Sequence, residues 1–388
     1  MIKRAFIIFT AIAAAACGAI ATAGCSGDEQ ADSWQLTGSI SANFSDDGNH
    51  GYILTVEGSG AMPDYQSESA TPWYGRAGRV TEIVLGEGIT YVGDYTFSGC
   101  SYVDYIILPD SVSAIGSQAF NPNIMVCSYN AVTSEGGTVY TYSQNQPSTV
   151  GDYWHMLGGV PAIWQTLRVL FIGNSFTYYN DLPSLFASVA NGAGAVVEVD
   201  SVTCGSWTLA KFADANDEYG AIVEQKLSTE EYDAVVLQEQ STLPIDNYNS
   251  FLSGASALKD KIDGYQADCS VYMYATWGFP SGLNSKYTTI PDMEAALRSA
   301  YSNAAKEIGA SVSSVGEAFT YVYNNYPQIN LYNTDQHHPS YEGSYLAACV
   351  HAATITGCDP RESTYEDGLD GSVADILQQV AYNIVFGA

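Results

Sequence analysis

Four short segments that lie far apart in the chain contain the residue types of a serine nucleophile site. They are residues 171–176 (FIGNSF), 204–206 (CGS), 238–241 (QEQS) and 335–339 (DQHHP). The first places Ser175 just after an apolar run, and the last places Asp335 and His338 three residues apart. A serine nucleophile needs a base and an oxyanion hole, and these segments contain candidates for both. The sequence therefore predicts acyl-transfer chemistry at Ser175.

The elements that must position these residues begin at Leu167, where short apolar runs alternate with helical patterns. The predicted strands are 167–172, 196–202, 234–237, 271–274 and 311–315. The predicted helices are 182–191, 208–227, 249–264, 291–308 and 341–355. This alternation predicts an α/β fold, with a five-stranded parallel sheet that has helices on both faces. In such sheets ligands bind at the carboxyl ends of the strands, which is where the segments fall.

Residues 164–388 resemble the SGNH (GDSL-like) hydrolases, and especially their exported bacterial members. That family has a G-[DN]-S segment after the first strand, a glycine after the second and a D-x-x-H segment near the end. Gly173-Asn174-Ser175, Gly205 and the 335–338 segment match these features. The chain departs from the family in the third segment, where Gln238 and Gln240 replace an asparagine. The resemblance implies a three-layer, flavodoxin-like sandwich.

The resemblance also implies roles for the matching residues. Ser175 is the nucleophile, His338 is the general base and acid, and Asp335 orients the histidine. The oxyanion hole consists of the Ser175 and Gly205 backbone N–H groups with the side chain of Gln240 (or Gln238). This mechanism requires no metal and no cofactor.

Several of these residues have simpler interpretations. Ser175 is also a favoured helix N-cap, Gly205 a turn glycine and Asp335 a loop cap. His337 is an alternative base beside His338. Two roles are considered for the aromatic residues near the strand ends, stacking on a sugar and packing in the core. These residues are Tyr178, Tyr179, Trp207 and Trp277.

Residues 33–127 are predicted to form a β-rich leucine-rich-repeat module. Residues 80–97 match residues 103–120 at an offset of 23, a period typical of leucine-rich repeats. The ending IGSQAF at 115–120 resembles the surface-protein subclass of these repeats. Two clear units indicate a small module, either a binding surface for a glycan or protein ligand or a spacer. Residues 128–163, rich in Ser, Thr, Gly, Pro and Tyr, are predicted to be a linker.

The N-terminus resembles an export signal, with a basic start followed by an apolar run of small residues. Residues 1–24 are the predicted signal peptide, and residues 25–32 are a polar tether. Cys25, in the segment TAGCSG, is the predicted lipidation site, and Cys17 is a poorer second candidate. The protein is thus expected to be a cell-surface lipoprotein or a secreted protein.

Composition limits the partners. The chain contains 13 Lys+Arg against 42 Asp+Glu, which argues against nucleic acid and polyanionic ligands. The cysteine spacing fits no zinc pattern. The resulting hypothesis is an exported serine esterase that hydrolyses small acyl esters, with O-acetyl groups on a glycan as the leading substrate. The alternatives are a surface-binding protein with a degenerate hydrolase domain and an acyltransferase on the same fold.

Overall fold

The computed structural model describes residues 32–147, 151–366 and 368–387. The predicted signal peptide, Cys17 and Cys25 lie outside these described residues, as does all of the tether except Asp32. The chain forms two compact units, with the boundary between Trp164 and Gln165.

The N-terminal unit is built from short strands. Its described strands are β1 (Ser33–Gln35), β2 (Ile40–Asp46), β3 (Tyr52–Gly58), β4 (Gly60–Ala61), β5 (Val80–Leu85), β6 (Ile89–Val92), β7 (Tyr105–Ile107), β8 (Ala114–Ile115), β9 (Met125–Ser128), β10 (Thr133–Ser134), β11 (Val139–Tyr142), β12 (Tyr153–Leu157) and β13 (Val160–Ile163). They form three sheets, in the orders β1-β2-β3-β5, β10-β8-β6-β4 and β13-β12-β11-β9-β7. One short helix, α1 (Tyr74–Ala77), precedes β5.

The 23-residue repeat is visible in the register. Strand β6 pairs in parallel with β8, so that Tyr91 lies beside Ala114. Phe97 forms a parallel bridge with Phe120, and their rings stack at 5.4 Å. The Trp73 ring also stacks on Phe97, with ring centroids 5.8 Å apart. Each unit thus buries its apolar ridge against the next, as expected for a solenoid.

Residues 128–163, predicted as a linker, carry strands of this unit. Strand β9 pairs with both β7 and β11, and β11 pairs with β12. Trp154 is fully buried, and its indole N–H donates to the Ser128 carbonyl at 3.0 Å. The turn residues that suggested a linker lie between short strands, and the buried tryptophan anchors the end of the stack.

The C-terminal unit contains a single five-stranded parallel sheet within the described residues. Its strands are β14 (Leu167–Gly173), β15 (Val197–Thr203), β16 (Ala234–Leu237), β17 (Ser270–Tyr274) and β18 (Ser311–Ser313), in the order β15-β14-β16-β17-β18. Strands β14 and β16 are almost wholly buried, which explains their unbroken apolar sequences. The predicted parallel α/β architecture is confirmed.

The strand order reverses direction at β14, because β15 lies on one side of it and β16 on the other. Right-handed crossovers then place the helix after β14 on the opposite face from those that follow β15 and β16. Such a reversal opens a crevice at the carboxyl end of the sheet. Residues placed just after β14, β15 and β16 therefore meet at one site.

The described helices of this unit are α2 (Ser175–Tyr178), α3 (Leu182–Gly192), α4 (Leu209–Ala213), α5 (Glu218–Thr229), α6 (Leu243–Asp246), α7 (Tyr248–Tyr265), α8 (Ile290–Ile308), α9 (Val315–Asn325), α10 (Tyr341–Thr356) and α11 (Gly371–Phe386). The predicted helix over 208–227 is in fact two helices. Asp217 caps α5 and accepts a hydrogen bond from the Trp207 indole at 2.9 Å, which breaks the helix between Ala213 and Glu218. Within the part of the chain described here, no helix is both long and apolar enough to cross a bilayer.

Candidate active site

Ser175 begins α2, two residues after the end of strand β14. The preceding residue, Asn174, is the N-cap, and its side-chain oxygen accepts from the Phe176 N–H at 3.3 Å. The Asn174 side-chain amide donates to the Trp207 carbonyl at 3.1 Å, which ties this turn to the loop after β15. A methyl group at Gly173 would collide with Thr177 and Gln238, so only glycine fits there. The cap role considered for Ser175 therefore belongs to its neighbour, Asn174.

Ser175, His338 and Asp335 form a hydrogen-bonded chain. His338 Nε2 lies 2.8 Å from Ser175 Oγ, and His338 Nδ1 lies 2.6 Å from Asp335 Oδ2. These are the contacts by which a histidine takes a proton from a serine while a carboxylate holds the ring. The three residues named from sequence thus come together from the two ends of the unit.

Asp335 also organises the loop that carries the base. Its Oδ1 accepts the backbone N–H groups of His337 and His338, each at 3.0 Å. Partial desolvation raises the pKa of Asp335, but the hydrogen bonds from His338 and from these two N–H groups outweigh it and bring the pKa to about 2. The carboxylate is therefore ionised throughout the neutral range, ready to stabilise an imidazolium.

His337, the alternative base, points elsewhere. Its ring packs against Phe279 at 4.2 Å and Phe176 at 5.0 Å, and its carbonyl accepts the Trp277 indole N–H at 3.3 Å. Burial, followed by the neighbouring His338, lowers the pKa of His337. His337 thus packs the loop against the core, and among the described residues the histidine in contact with Ser175 is His338.

An aromatic ring covers the face of His338. Tyr179 lies parallel to the imidazole, with ring centroids 4.1 Å apart and an angle of 4° between the planes. The next residue, Asn180, donates from its side-chain amide to the Ser340 carbonyl at 3.0 Å and to Ser344 Oγ at 2.9 Å. Asn180 has φ of 53°, a left-handed conformation that asparagine tolerates. The nucleophile segment and the base segment are thereby fastened to each other.

The loop after β15 brings Gly205 close to α2. A methyl group placed at Gly205 would lie 3.2 Å from the Tyr178 hydroxyl oxygen. Tyr178 is 43% exposed. Gly205 thus follows β15 as predicted, with the Tyr178 phenol as a neighbouring polar group.

Neither glutamine proposed for the oxyanion hole hydrogen-bonds Ser175 or Gly205 among the described residues. Gln238 is fully buried, and its Oε1 accepts from the Asn174 N–H at 2.8 Å and from Thr177 Oγ1 at 2.9 Å. Gln240 donates from its amide to Ser241 Oγ at 3.0 Å. Gln238 therefore supports the nucleophile turn from below, and a role for Gln240 in the oxyanion hole stays a prediction.

The other two aromatic residues near the strand ends, Trp277 and Trp207, have different surroundings. Trp277 is fully buried, with its ring between those of Phe176 at 4.4 Å and Phe319 at 4.2 Å. Trp207 is half-buried, and the Lys211 ammonium lies 3.9 Å from its ring centroid. Trp277 is thus a core residue.

Sequence reasoning named Tyr179 only as a candidate for sugar stacking or core packing, and it did not name Asn180. The sequence gives one hint that these two residues belong to the site, namely that both lie within five positions of Ser175. In the described ranges, no cluster of three or more His, Cys, Asp or Glu side chains is arranged to hold a metal ion.

The N-terminal repeats match a known family. Residues 73–141 match the BspA type leucine-rich repeat region, in six copies. This match confirms the repeat resemblance and extends it past residue 127, where the sequence pattern predicted the module to end. No curated protein matches the chain.

Solved structures similar to the chain include a candidate SGNH hydrolase from Slackia heliotrinireducens. It is 28% identical, covers 49% of this chain and 100% of its own, and has a TM-score of 0.43. A DUF4886 family protein from Bacteroides uniformis is 21% identical, covers 57% of this chain and 95% of its own, and has a TM-score of 0.50. A candidate GDSL-like lipase from Parabacteroides merdae is 13% identical, covers 49% and 95%, and has a TM-score of 0.39. The chain therefore joins a BspA-type leucine-rich repeat region to an α/β unit with the fold of the DUF4886 family protein, and SGNH and GDSL proteins are among its structural neighbours.

Proposed function

We propose that the C-terminal unit is a serine esterase that hydrolyses small acyl esters, in particular O-acetyl groups on carbohydrates. One observation carries this proposal: His338 bridges Ser175 Oγ at 2.8 Å and Asp335 Oδ2 at 2.6 Å. A serine, a histidine and a carboxylate in this order form the activated nucleophile of acyl transfer.

In the first step His338 Nε2 takes the proton of the Ser175 hydroxyl as Oγ attacks the acyl carbon. The carbonyl π electrons move onto oxygen, which gives a tetrahedral oxyanion. The ionised Asp335 holds the imidazole through Nδ1 and stabilises the positive charge that forms on the ring. This step requires Asp335 as a carboxylate, which agrees with its pKa of about 2.

The oxyanion is stabilised by the backbone N–H groups of Ser175 and Gly205. The hydroxyl of Tyr178 is the third donor in our proposal, because it lies beside Gly205. The buried Gln238 side chain is engaged at both ends: its Oε1 accepts from Asn174 and Thr177, and its NH2 group donates to the Glu239 carbonyl. One such donor contributes about 10²–10³ in rate. A phenol from α2 thus replaces the side-chain amide that the family takes from its third segment.

The intermediate collapses when the bond between the acyl carbon and the alcohol oxygen breaks. His338 gives its proton to the leaving alcohol, and the acyl group remains on Ser175. Water then attacks the acyl-enzyme, loses a proton to His338 and releases the carboxylic acid, which restores the serine. The hydrolysis balances with water as the only co-reactant.

A carbohydrate ester at the cell exterior is the setting that fits the whole chain. The N-terminal segment up to Cys25 has the composition of an export signal with a lipidation site. The repeat unit supports surface location, because BspA-type repeats are typical of surface proteins. Intact-mass and N-terminal peptide spectrometry of the protein from membranes tests this part: acylated Cys25 supports an anchor, and an unmodified N-terminus upstream of it contradicts export.

The activity is tested with p-nitrophenyl acetate and a fluorophosphonate probe. The full-length mature protein is expected to hydrolyse the ester and to label at Ser175, and the Ser175→Ala variant is expected to do neither. A matched pair distinguishes the two histidines: His338→Gln loses turnover, whereas His337→Gln retains most of it. If the unaltered protein shows neither turnover nor Ser175-dependent labelling, it is not a serine esterase.

A further inference from the structure

The loop between β15 and α4 contains a tight turn. The Trp207 N–H donates to the Cys204 carbonyl at 3.1 Å, so Gly205 and Ser206 are the central residues of a β-turn. Ser206 has φ of 64°, in the left-handed region. Gly205 is exposed, and across the described ranges its N–H finds no hydrogen-bond acceptor in the protein. The turn therefore leaves this N–H free to meet a ligand oxygen.

The nucleophile segment holds one side of this turn. The Cys204 N–H donates to the Gly173 carbonyl at 3.1 Å, and the Asn174 side-chain amide donates to the Trp207 carbonyl at 3.1 Å. Both ends of the turn are thus hydrogen-bonded to the residues that precede Ser175. These contacts end at Trp207, and the chain enters α4 two residues later.

Glu239 holds the chain where it enters α4. Both of its side-chain oxygens lie 3.2 Å from the backbone nitrogen of Leu209, the first residue of that helix. The first N–H groups of a helix have no acceptor within the helix, and their partial positive charge favours a carboxyl group. Leu209 is fully buried, so water does not replace this acceptor. Loss of the carboxyl group would leave a buried N–H unpaired, which costs about 1–3 kcal/mol.

Two adjacent residues of the third segment thus support the two halves of the site. Gln238 accepts the Asn174 N–H at 2.8 Å and so contacts the nucleophile turn, whereas Glu239 contacts α4. Glu239 is itself held from another helix, because its backbone N–H donates to the Tyr301 hydroxyl of α8 at 3.3 Å. Both Glu239 and Tyr301 are fully buried. The carboxyl group is therefore a fixed support rather than a mobile surface group.

We infer that Glu239 is a positioning residue of the proposed oxyanion hole, because its carboxyl group fixes the start of α4 and thereby the turn that presents the Gly205 N–H. Its effect on rate rests on the proposed esterase function, whereas its effect on the loop can be measured without turnover. Glu239 acts through the backbone of residues 205–209. A displaced Gly205 N–H weakens the bond to the oxyanion and hardly changes substrate binding, so kcat falls while KM stays nearly constant.

The test compares two substitutions of similar size. Glu239→Gln keeps an oxygen that accepts the Leu209 N–H, and Glu239→Met removes it. Glu294→Met is the matched control, because Glu294 is a buried carboxyl on α8 that pairs with Arg298. The readouts are kcat and KM on p-nitrophenyl acetate and the inhibition constant of trifluoroacetophenone, whose adduct with Ser175 carries an oxyanion.

For Glu239→Met we expect kcat to fall by about 10–100-fold with KM within about twofold, since one oxyanion donor is displaced rather than removed. The inhibition constant of trifluoroacetophenone is expected to rise by a similar factor. Glu239→Gln should stay within about threefold of the unaltered protein in both measurements, because its amide oxygen still accepts the Leu209 N–H. Glu294→Met should change neither quantity.

Hydrogen–deuterium exchange of peptides that span residues 203–212 measures the loop itself. Exchange is expected to be faster in Glu239→Met than in the unaltered protein and unchanged in Glu239→Gln. If circular dichroism shows that Glu239→Met does not fold, Leu209→Pro replaces it in every measurement. Leu209→Pro removes the same N–H at the first position of α4, where proline is tolerated.

Three results would overturn the positioning role. They are an unchanged kcat and inhibition constant in Glu239→Met, equal losses in Glu239→Gln and Glu239→Met, and an equal loss of kcat in the Glu294→Met control. Absence of Ser175-dependent turnover in the unaltered protein would overturn the esterase function instead. The exchange of residues 203–212 would then decide by itself whether Glu239 fixes the loop.

Discussion

Tyr179 and His338 form a face-to-face pair, with ring centroids 4.1 Å apart and an angle of 4° between their planes. The imidazole is thus held by Asp335 at one edge and by a flat aromatic face above it. An aromatic face attracts a cation, so the pair would become stronger when His338 is protonated in the proposed acyl transfer. Tyr179 is accordingly a positioning residue, since it acts through the base rather than on the substrate.

Removal of the Tyr179 ring is predicted to slow the chemical step. A cation–π contact of about 0.5–2 kcal/mol corresponds to a factor of about 2–30 in rate. Tyr179→Ala should lower kcat on p-nitrophenyl acetate within that range and leave KM nearly unchanged. Tyr179→Phe should restore the rate, because the face of the ring remains. An increase in KM without a change in kcat, or no rescue by phenylalanine, would contradict the positioning role; Tyr323→Ala, at an exposed tyrosine on α9, serves as the control.

The second prediction concerns the third donor of the oxyanion hole and compares substitutions of Tyr178 and Gln240. If the Tyr178 hydroxyl is the third donor, Tyr178→Phe lowers kcat by up to about 10²-fold and leaves Ser175 labelling detectable. Gln240→Ala then changes kcat only a few fold, because its amide bonds to Ser241. The reverse order of effects would return the role to Gln240. Steady-state kinetics on p-nitrophenyl acetate with both variants decide between them.

The α/β fold of the C-terminal unit was predicted well, because each strand and helix is indicated by residues that are close together in the sequence. Strands β14 and β16 are unbroken apolar runs followed by turn residues, and the predicted bounds differ from those observed by at most one residue. The sequence also singled out Ser175, His338 and Asp335, because their segments resemble those of the SGNH hydrolases; their contacts are now seen, and their catalytic roles stay a prediction. The hydrogen bonds between these three side chains depend on the order of the strands in the sheet. The hydrophobic periodicity of the sequence does not predict that order.

The features that escaped prediction depend on contacts between distant residues. The break in the helix predicted over 208–227 depends on Asp217, which both caps α5 and binds the Trp207 indole. The stacking of Tyr179 on His338 joins residues 159 positions apart, and no local pattern encodes it. Residues 128–163 look like a linker because their strands are short and separated by turn residues, although Trp154 is fully buried.

The Asp335 carboxylate is predicted to be needed for fast ester hydrolysis and to stay ionised throughout the neutral pH range. By analogy with triad carboxylates, Asp335→Asn should lower kcat by about 10³–10⁴-fold, because the amide favours the wrong imidazole tautomer. Hydrogen bonding brings the pKa of Asp335 to about 2, below the unfolded value of about 3.9. Its contribution to stability is therefore present above about pH 4 and is lost as pH falls through about 2. Melting temperatures of the two proteins should differ by a constant amount above pH 5 and converge at pH 2–3; a difference that changes between pH 5 and 8 would refute this assignment.

Glu239 is a buried carboxyl just beyond the carboxyl end of strand β16. Its two side-chain oxygens each lie 3.2 Å from the Leu209 N–H at the start of α4, and one of them accepts the Gln240 N–H at 2.6 Å. Desolvation raises the pKa of Glu239 to about 7, and these hydrogen bonds limit the rise. The side chain thus links strand β16 to α4 and titrates close to neutral pH.

The sign of the resulting pH dependence follows from proton binding. Between the unfolded pKa of about 4.3 and the folded value of about 7, the folded protein binds the proton and the unfolded chain does not. Stability must therefore fall as pH rises through this window and level off above it. The melting temperature of the C-terminal unit is expected to drop by about 5–10 °C between pH 5 and pH 8 from this group. Glu239→Gln should flatten that profile while Glu231→Gln, at an exposed glutamate, leaves it unchanged. Calorimetric melts of the three proteins across this range provide the test, and a profile that keeps its slope in Glu239→Gln would show that another group is responsible.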